Sequence, residues 1–139
     1  MIEPLIYRKE HNSRPEICEF FQLENKCNEF LKDDEIRSAG IINNMGNLVA
    51  GGLDDELEWR ESEELRRMLC MQMVLQISIC KDFEENLGEI KYFAINRKKI
   101  LMIAFPLKNN VLLISAKPTT SIDQIISKPQ VLEFFKLDM

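Results

Sequence analysis

Two short apolar runs flank an Asn/Gly-rich segment near the first third of the chain. Ile36–Ile42 and Leu48–Ala50 are rich in small and β-branched residues, which favour extended backbone. Between them, Asn43, Asn44 and Gly46 tolerate the positive φ that a tight connection needs. The pattern predicts a β-hairpin that carries no nucleophile, metal ligand or phosphate-binding loop.

Three further strands are predicted in the second half of the chain, at Ile90–Asn96, Lys99–Phe105 and Val111–Ala116. The last two strands are nearly continuous apolar runs, which is typical of strands covered on both faces. The first is more mixed in polarity and is predicted to be an edge strand. Short polar connections between them indicate an antiparallel meander.

Helices are predicted before the hairpin and after the meander. The first begins at Ser13-Arg14-Pro15-Glu16, where Ser13 and Glu16 have capping-box spacing, and it runs to Leu31 or Lys32. A short helix with Ile122, Ile125 and Ile126 on one face follows the meander, with Ser121 and Gln124 spaced for a second capping box, and Pro129 ends it.

A long helix is predicted from about Ser62 to Glu84, and it is apolar on two sides. At about 100° per residue its apolar side chains form two stripes separated by polar residues. A helix that lies on a sheet needs one such stripe, so the second must be covered by another element or another molecule. We favour a contact with a second copy of the chain; the alternative is a helix that lies deeper in its own core. The first stripe contains Leu69, Cys70, Met73, Ile77 and Cys80, and the second contains Met68, Met71, Leu75 and Ile79.

These elements predict an α+β fold: a central five-stranded antiparallel sheet with helices on both faces, in the order α-β-β-α-β-β-β-α. We expect one domain at 13–128, an N-terminal arm at 1–12, and an apolar tail at 129–139 that docks on the domain as a final turn or helix.

Charge and hydropathy exclude several classes of protein. The formal net charge of -5 argues against a general nucleic-acid binder, which needs a concentrated basic surface. Arg97-Lys98-Lys99 is the one tight basic cluster and is interpreted as a solvated turn. No apolar run approaches the length that spans a bilayer, and the N-terminus lacks a signal-peptide core, so we expect a cytoplasmic protein.

The cysteines do not indicate a metal site or an enzyme. Cys18, Cys27, Cys70 and Cys80 form no Cys-x-x-Cys pair, and His11 is far from them in sequence. Cys18 and Cys27 would point to opposite sides of the first helix, so we expect free thiols rather than a disulfide between them. Cys70 and Cys80 lie within apolar helix faces that disfavour the thiolate. We therefore expect no catalytic residue, no metal and no cofactor.

The segment from Asp54 to Glu64 is strongly acidic and contains Trp59, the chain's one tryptophan. It is predicted to be an exposed loop that leads into the long helix. Its acidic residues lack the turn glycine of a calcium-binding loop. Trp59 either covers the core or offers an aromatic anchor to a partner, together with Glu56 and Glu58.

The order of elements and two motifs resemble a Roadblock or dynein-light-chain type domain, a relative of the profilin and longin folds. The motifs are Ala39-Gly40-Ile41-Ile42 followed by Gly46-x-Leu48-Val49-Ala50-Gly51-Gly52, and Phe105-Pro106-Leu107 followed by Val111-Leu112-Leu113-Ile114-Ser115-Ala116. The resemblance covers roughly Pro15 to Lys128 and is closest to uncharacterised archaeal proteins of this kind.

That resemblance implies a non-enzymatic homodimeric scaffold, in some members a regulator of small Ras-like GTPases. The family dimerises through the long helix and by pairing third strands into one sheet. The implied interface contains Met68, Met71, Leu75, Ile79, Tyr92, Phe93, Ala94 and Ile95.

A second hypothesis is a small-molecule sensor of PAS or profilin-like architecture. Helices over an antiparallel sheet can enclose a pocket, and Ser38, Ser115 and Tyr92 are the polar side chains that could face into one.

Overall fold

The computed structural model of the protein describes residues 17–52 and 63–137, with the side chains of 17–19 and 137 left aside. The predicted N-terminal capping box at Ser13 and Glu16 and most of the acidic segment lie outside the described residues. None of the described helices is long and apolar enough to cross a bilayer. The elements are α1 (Ile17–Phe30), β1 (Ile36–Ile42), β2 (Leu48–Gly52), α2 (Glu63–Lys81), α3 (Glu84–Leu87), β3 (Phe93–Asn96), β4 (Leu101–Pro106), β5 (Val111–Ala116), α4 (Ile122–Ile126) and α5 (Pro129–Leu137).

The five strands form one antiparallel sheet in the order β2-β1-β5-β4-β3. Leu101–Phe105 and Val111–Ala116 are buried at every position, as expected of strands covered on both faces. β3 lies at one edge and β2 at the other. The predicted fold class, the central meander strands and the edge position of β3 are confirmed.

Two apolar clusters fill the two faces of the sheet. On one face, Phe30 of α1 and Phe134 of α5 pack over Ile103 and Ile114. On the other, α2 contributes a cluster that also contains Met102 and Leu113. Successive side chains of the central strands point to opposite faces of the sheet, so the apolar residues form two cores, each covered by helices.

The predicted hairpin is present, and its turn is built by Asn43 and Gly46. Asn43 Oδ1 accepts hydrogen bonds from the amides of Met45 and Asn47, at 2.9 and 3.0 Å. Gly46 has a φ of +79° and lies on the side chain of Met71 in α2. The turn thus needs a residue that allows positive φ and has no Cβ.

A second close approach, between β2 and α1, requires glycine at position 51. Gly51 has a φ of +77°, and a Cβ there would lie 2.4 Å from the Ala39 carbonyl oxygen and 2.9 Å from Cys27 Sγ. Its amide donates to Glu24 Oε1 at 2.8 Å. Helix α1 can therefore pack closely on the hairpin only because position 51 is glycine.

The structure corrects three local predictions. The long helix stops at Lys81, and a separate turn of helix, α3, follows and ends at Gly88, whose φ is +91° and whose amide bonds Glu84 O. Strand β3 begins at Phe93 rather than Ile90. The exposed Ser121 side chain makes no capping hydrogen bond, and the contact of α4 with the core is made by buried Ile125.

Helices α1 and α5 are joined by an aromatic stack and one ion pair, and a second ion pair joins the segment after α1 to the residue before α5. The Phe30 and Phe134 rings are stacked with centroids 5.8 Å apart. Lys26 Nζ donates to Glu133 Oε1 at 2.8 Å, and Lys128 Nζ donates to Asp33 Oδ2. Pro129 is the first residue of α5, where its missing amide hydrogen removes no helical hydrogen bond.

The Gly51→Ala variant should be destabilised by about 2–4 kcal/mol, because positive φ and the contacts with Ala39 and Cys27 both penalise a Cβ. Urea unfolding followed by circular dichroism measures the change. Gly52→Ala is the matched control, since nothing lies within 4 Å of a Cβ there. Equal effects of the two substitutions would contradict the role given to Gly51.

The Asp33→Asn variant should lose stability at neutral pH but not in acid. The hydrogen bond from Lys128 lowers the pKa of Asp33 below its ordinary value of 3.8. A carboxylate whose folded pKa is depressed stabilises the protein above its unfolded pKa, and this contribution is lost as the pH falls through the folded pKa. The difference between the unfolding free energies of the two proteins should therefore be constant above the unfolded pKa and shrink as the pH falls from about 4 to about 2. Asp34→Asn, at the exposed neighbouring position, is the control, and the same pH dependence there would contradict the assignment.

Candidate interaction surface

Helix α2 has one buried stripe and one exposed apolar stripe on opposite sides. Cys70, Met73 and Ile77 are buried against the sheet. At about 100° per residue, the second predicted stripe points directly away from them. Its members Met68, Leu75 and Ile79 are 61%, 53% and 54% exposed. The chain's own described residues therefore do not cover this face.

The exposed stripe has heptad spacing, which the sequence analysis did not identify. Leu65, Met68, Gln72, Leu75 and Ile79 follow one another at intervals of three, four, three and four residues, and all five side chains are exposed. Such spacing is typical of a helix that packs against another helix along a narrow seam. Gln72, one of the polar residues that separate the two predicted stripes, is the polar member at the centre of this seam.

Met71, the fourth member of the predicted stripe, is placed differently from the others. Its side chain is half-buried, and its Cγ and Sδ lie under Gly46 in the β1–β2 turn. Met71 therefore connects the exposed stripe to the hairpin and already has a contact within its own chain.

The edge of β3 lies beside this helix. Phe93 and Ile95 pack into the α2-side cluster, whereas Ala94 packs on the opposite face of the sheet. The Arg97 amide donates to the Ile100 carbonyl across the β3–β4 turn. Because the backbone N–H and C=O groups of successive residues face opposite sides of a strand, those of Ala94 and Asn96 face away from β4. Among the described residues, no strand pairs with that edge.

The two edges of the sheet differ. At β2, the side chain of Glu24 occupies the Gly51 amide, and the positive φ of Gly51 interrupts the regular strand. At β3, outward-facing backbone groups belong to a regular four-residue strand. Edge strands with unoccupied hydrogen-bonding groups are sites for pairing with another chain, and β3 is the edge that offers them.

A separate apolar groove of about 1270 Å³ opens where β3 leaves β4. Residues 90–92 do not pair with the sheet, and the Tyr92 ring packs near Phe105, with centroids 6.2 Å apart. Leu132 and Phe135 of α5 form the opposite wall. No sequence pattern marks this groove, since the groove is assembled from segments that are distant in the chain.

Among the described residues, the thiols of Cys27 and Cys70 and the hydroxyls of Ser38 and Ser115 are buried. Burial raises the pKa of the Cys70 thiol, and it raises that of Cys27 to about 12. The hydroxyls of Ser38 and Ser115 are buried and hydrogen-bonded to each other. Of the three side chains predicted to face a pocket, Tyr92 lines the groove and the two serines do not. Within residues 17–52 and 63–137, no cluster of His, Cys, Asp and Glu is arranged to hold a metal.

The predicted partner-contact residues Trp59, Glu56 and Glu58 lie outside the described residues. At the two ends of α2, the described charges are acidic at Glu63 and Glu64 and basic at Lys81.

Several solved structures are similar in fold. A Roadblock/LC7 domain from Streptomyces avermitilis aligns with a TM-score of 0.62 and 11% identity over 82% of this chain and 92% of its own. MglB from Myxococcus xanthus gives 0.65 and 14%, over 85% and 95%. The gliding protein MglB from Thermus thermophilus gives 0.68 and 12%, over 94% and 98%.

At these identities the comparisons establish likeness of fold alone, and at that level the predicted resemblance to Roadblock domains is confirmed. No curated protein matches the sequence. The model of a family of unknown function, DUF6659, matches residues 14–134, so the chain belongs to that family.

Proposed function

We propose that the protein is a non-enzymatic homodimeric interaction module whose interface combines the exposed stripe of α2 with the edge of β3. The exposed heptad stripe is the observation that carries the proposal. Apolar side chains that lie in a continuous row on a surface mark a binding site far more often than isolated ones do. In this interface Met68, Leu75 and Ile79 supply the apolar contacts.

A second copy of the chain is the occupant that the stripe fits best. If two α2 helices pack antiparallel about Gln72, Met68 of each copy lies against Leu75 of the other, and Leu65 lies against Ile79. The stripe is thus complementary to itself in its apolar contacts, as a two-fold interface requires.

Gln72 would meet its counterpart at the centre of this contact. A polar residue at one seam position lowers affinity but favours one register and orientation, because any shift leaves it buried without a partner.

Strand β3 extends the same interface. Antiparallel pairing of Ala94 and Asn96 with the partner's β3 would satisfy their outward backbone groups and join two sheets into one. Phe93 and Ile95 would support the pairing from the α2 side, and Tyr92 lies at its end.

The proposed role of the dimer is to bind another protein, with a small Ras-like GTPase as the favoured class. Support comes from the Roadblock resemblance and from the fold neighbours named MglB, one of which is described as a tetrameric arrangement. Trp59, Glu56 and Glu58 are proposed as partner contacts. The alternative of a small-molecule sensor has less support, since Ser38 and Ser115 bind each other rather than facing a pocket.

The double variant Met68→Glu/Leu75→Glu should convert a wild-type dimer into a folded monomer. Two carboxylates per copy in an apolar seam should weaken dimerisation by about 100-fold or more. Light scattering at several concentrations measures the mass, and circular dichroism checks the fold. Phe21→Glu, at an exposed position of α1 on the other side of the sheet, is the control and should remain dimeric. A wild-type monomer at high micromolar concentration would overturn the proposal.

The Asn96→Pro variant should weaken the dimer by about tenfold, because proline removes an outward amide donor from β3 in each copy. Asn96→Ala keeps that donor and serves as the matched control. Sedimentation equilibrium gives both dissociation constants. If both variants dimerise as tightly as the wild type, β3 is not part of the interface and the α2 stripe alone forms it.

A further inference from the structure

We infer that the groove between the 87–92 segment and α5 is a binding site for an acidic amphipathic helix of a partner protein, and that its basic rim is completed by the second copy of the chain. This inference rests on the proposed dimer, since part of the positive charge at the rim of the groove comes from the partner subunit.

The groove has the size and lining of a peptide site. Its volume of about 1270 Å³ exceeds the roughly 300–1,000 Å³ of most small-molecule pockets. Tyr92, Phe105 and Phe135 form an aromatic floor, with ring contacts from Phe105 to both of the others. At its rim, Leu87 is 81% exposed and Leu132 is 57% exposed. An apolar floor and exposed apolar walls are what the apolar face of a helix requires.

Within the described part of one copy, the charges around this groove nearly balance. Three lysines and two glutamates line it, namely Lys81, Lys91, Lys108, Glu84 and Glu89. One copy alone therefore gives little reason to prefer an acidic ligand over a basic one.

The second copy changes that balance. Antiparallel pairing of Ala94 with the partner's Asn96 places the partner's Lys98 opposite Tyr92 and the partner's Lys99 opposite Lys91. These residues belong to the exposed β3–β4 turn, the one tight basic cluster of the sequence. Like charges brought together in this way repel one another, so an anionic group between them is stabilising.

The dimer thus presents two apolar grooves, each with an excess of positive charge at the end nearest the two-fold axis. This positive charge lies on a chain whose net charge is -5. An amphipathic helix with carboxylates along its polar side matches both the floor and the rim.

The test uses two fluorescein-labelled helical peptides of about 15 residues, identical in their leucine face, with either Glu or Lys at the polar positions. Fluorescence anisotropy should detect binding of the Glu peptide to the wild-type dimer, weakened by salt, and no binding of the Lys peptide. Leu132→Glu should abolish binding. Equal affinity for the two peptides, or unchanged binding by Leu132→Glu, would overturn the inference.

Variant Lys98→Glu tests the contribution of the second copy and should weaken binding of the Glu peptide by about tenfold. Lys32→Glu makes the same change of charge at an exposed position of the α1–β1 connection and should have little effect. Equal weakening by the two variants would overturn the composite site.

Light scattering separates the failure of this inference from failure of the proposed function. A wild-type dimer that binds no peptide overturns the inference alone, whereas a wild-type monomer overturns both.

Vesicles containing phosphatidylserine test a membrane surface as the alternative ligand of the groove. Binding to vesicles that depends on Lys98 and Leu132, without binding to the Glu peptide, would replace the helix by a membrane surface.

Discussion

The two central strands, β4 and β5, are buried on both faces of the sheet, and the positions of the helices follow from this burial. Every residue of Leu101–Phe105 and Val111–Ala116 is removed from water, so the chain must supply a helical layer above and below them. On one side α1 and α5 share this task. On the other side α2 carries it with three buried residues, Cys70, Met73 and Ile77. A helix that covers a sheet with one narrow stripe is free to present a second stripe to solvent, and α2 does so.

Much of the fold can be predicted from the sequence, because the signals are local. Continuous apolar runs at Ile100–Phe105 and Val111–Ile114 mark central strands, and the Asn43–Gly46 segment marks a tight turn. The start of β3 was predicted three residues too early, since Ile90, Lys91 and Tyr92 have acceptable strand propensity. What ends the pairing is a tertiary effect: Pro106 of β4 comes opposite Lys91 in this register and has no amide hydrogen to donate.

The candidate surface is only partly visible in the sequence, for the same reason. A helical wheel separates the two stripes of α2, because their spacing is a property of the helix itself. It does not show that Met71 lies under Gly46, a contact between residues 25 positions apart. The central place of Gln72 was missed because polar residues were interpreted as boundaries of a stripe rather than as members of a seam. The groove beside α5 leaves no periodic signal, since several separate segments build it.

The hydrogen bond from Gly51 to Glu24 has a consequence for how far the sheet can grow. A sheet with two open edges can add chains at both ends and extend without limit into a fibril. Here the Glu24 carboxylate of α1 occupies the Gly51 amide at one margin, and among the described residues the regular outward-facing backbone groups lie at the other, in β3. If two chains pair through β3 as proposed, each contributes its open margin, and the growth of the sheet would end after a single step.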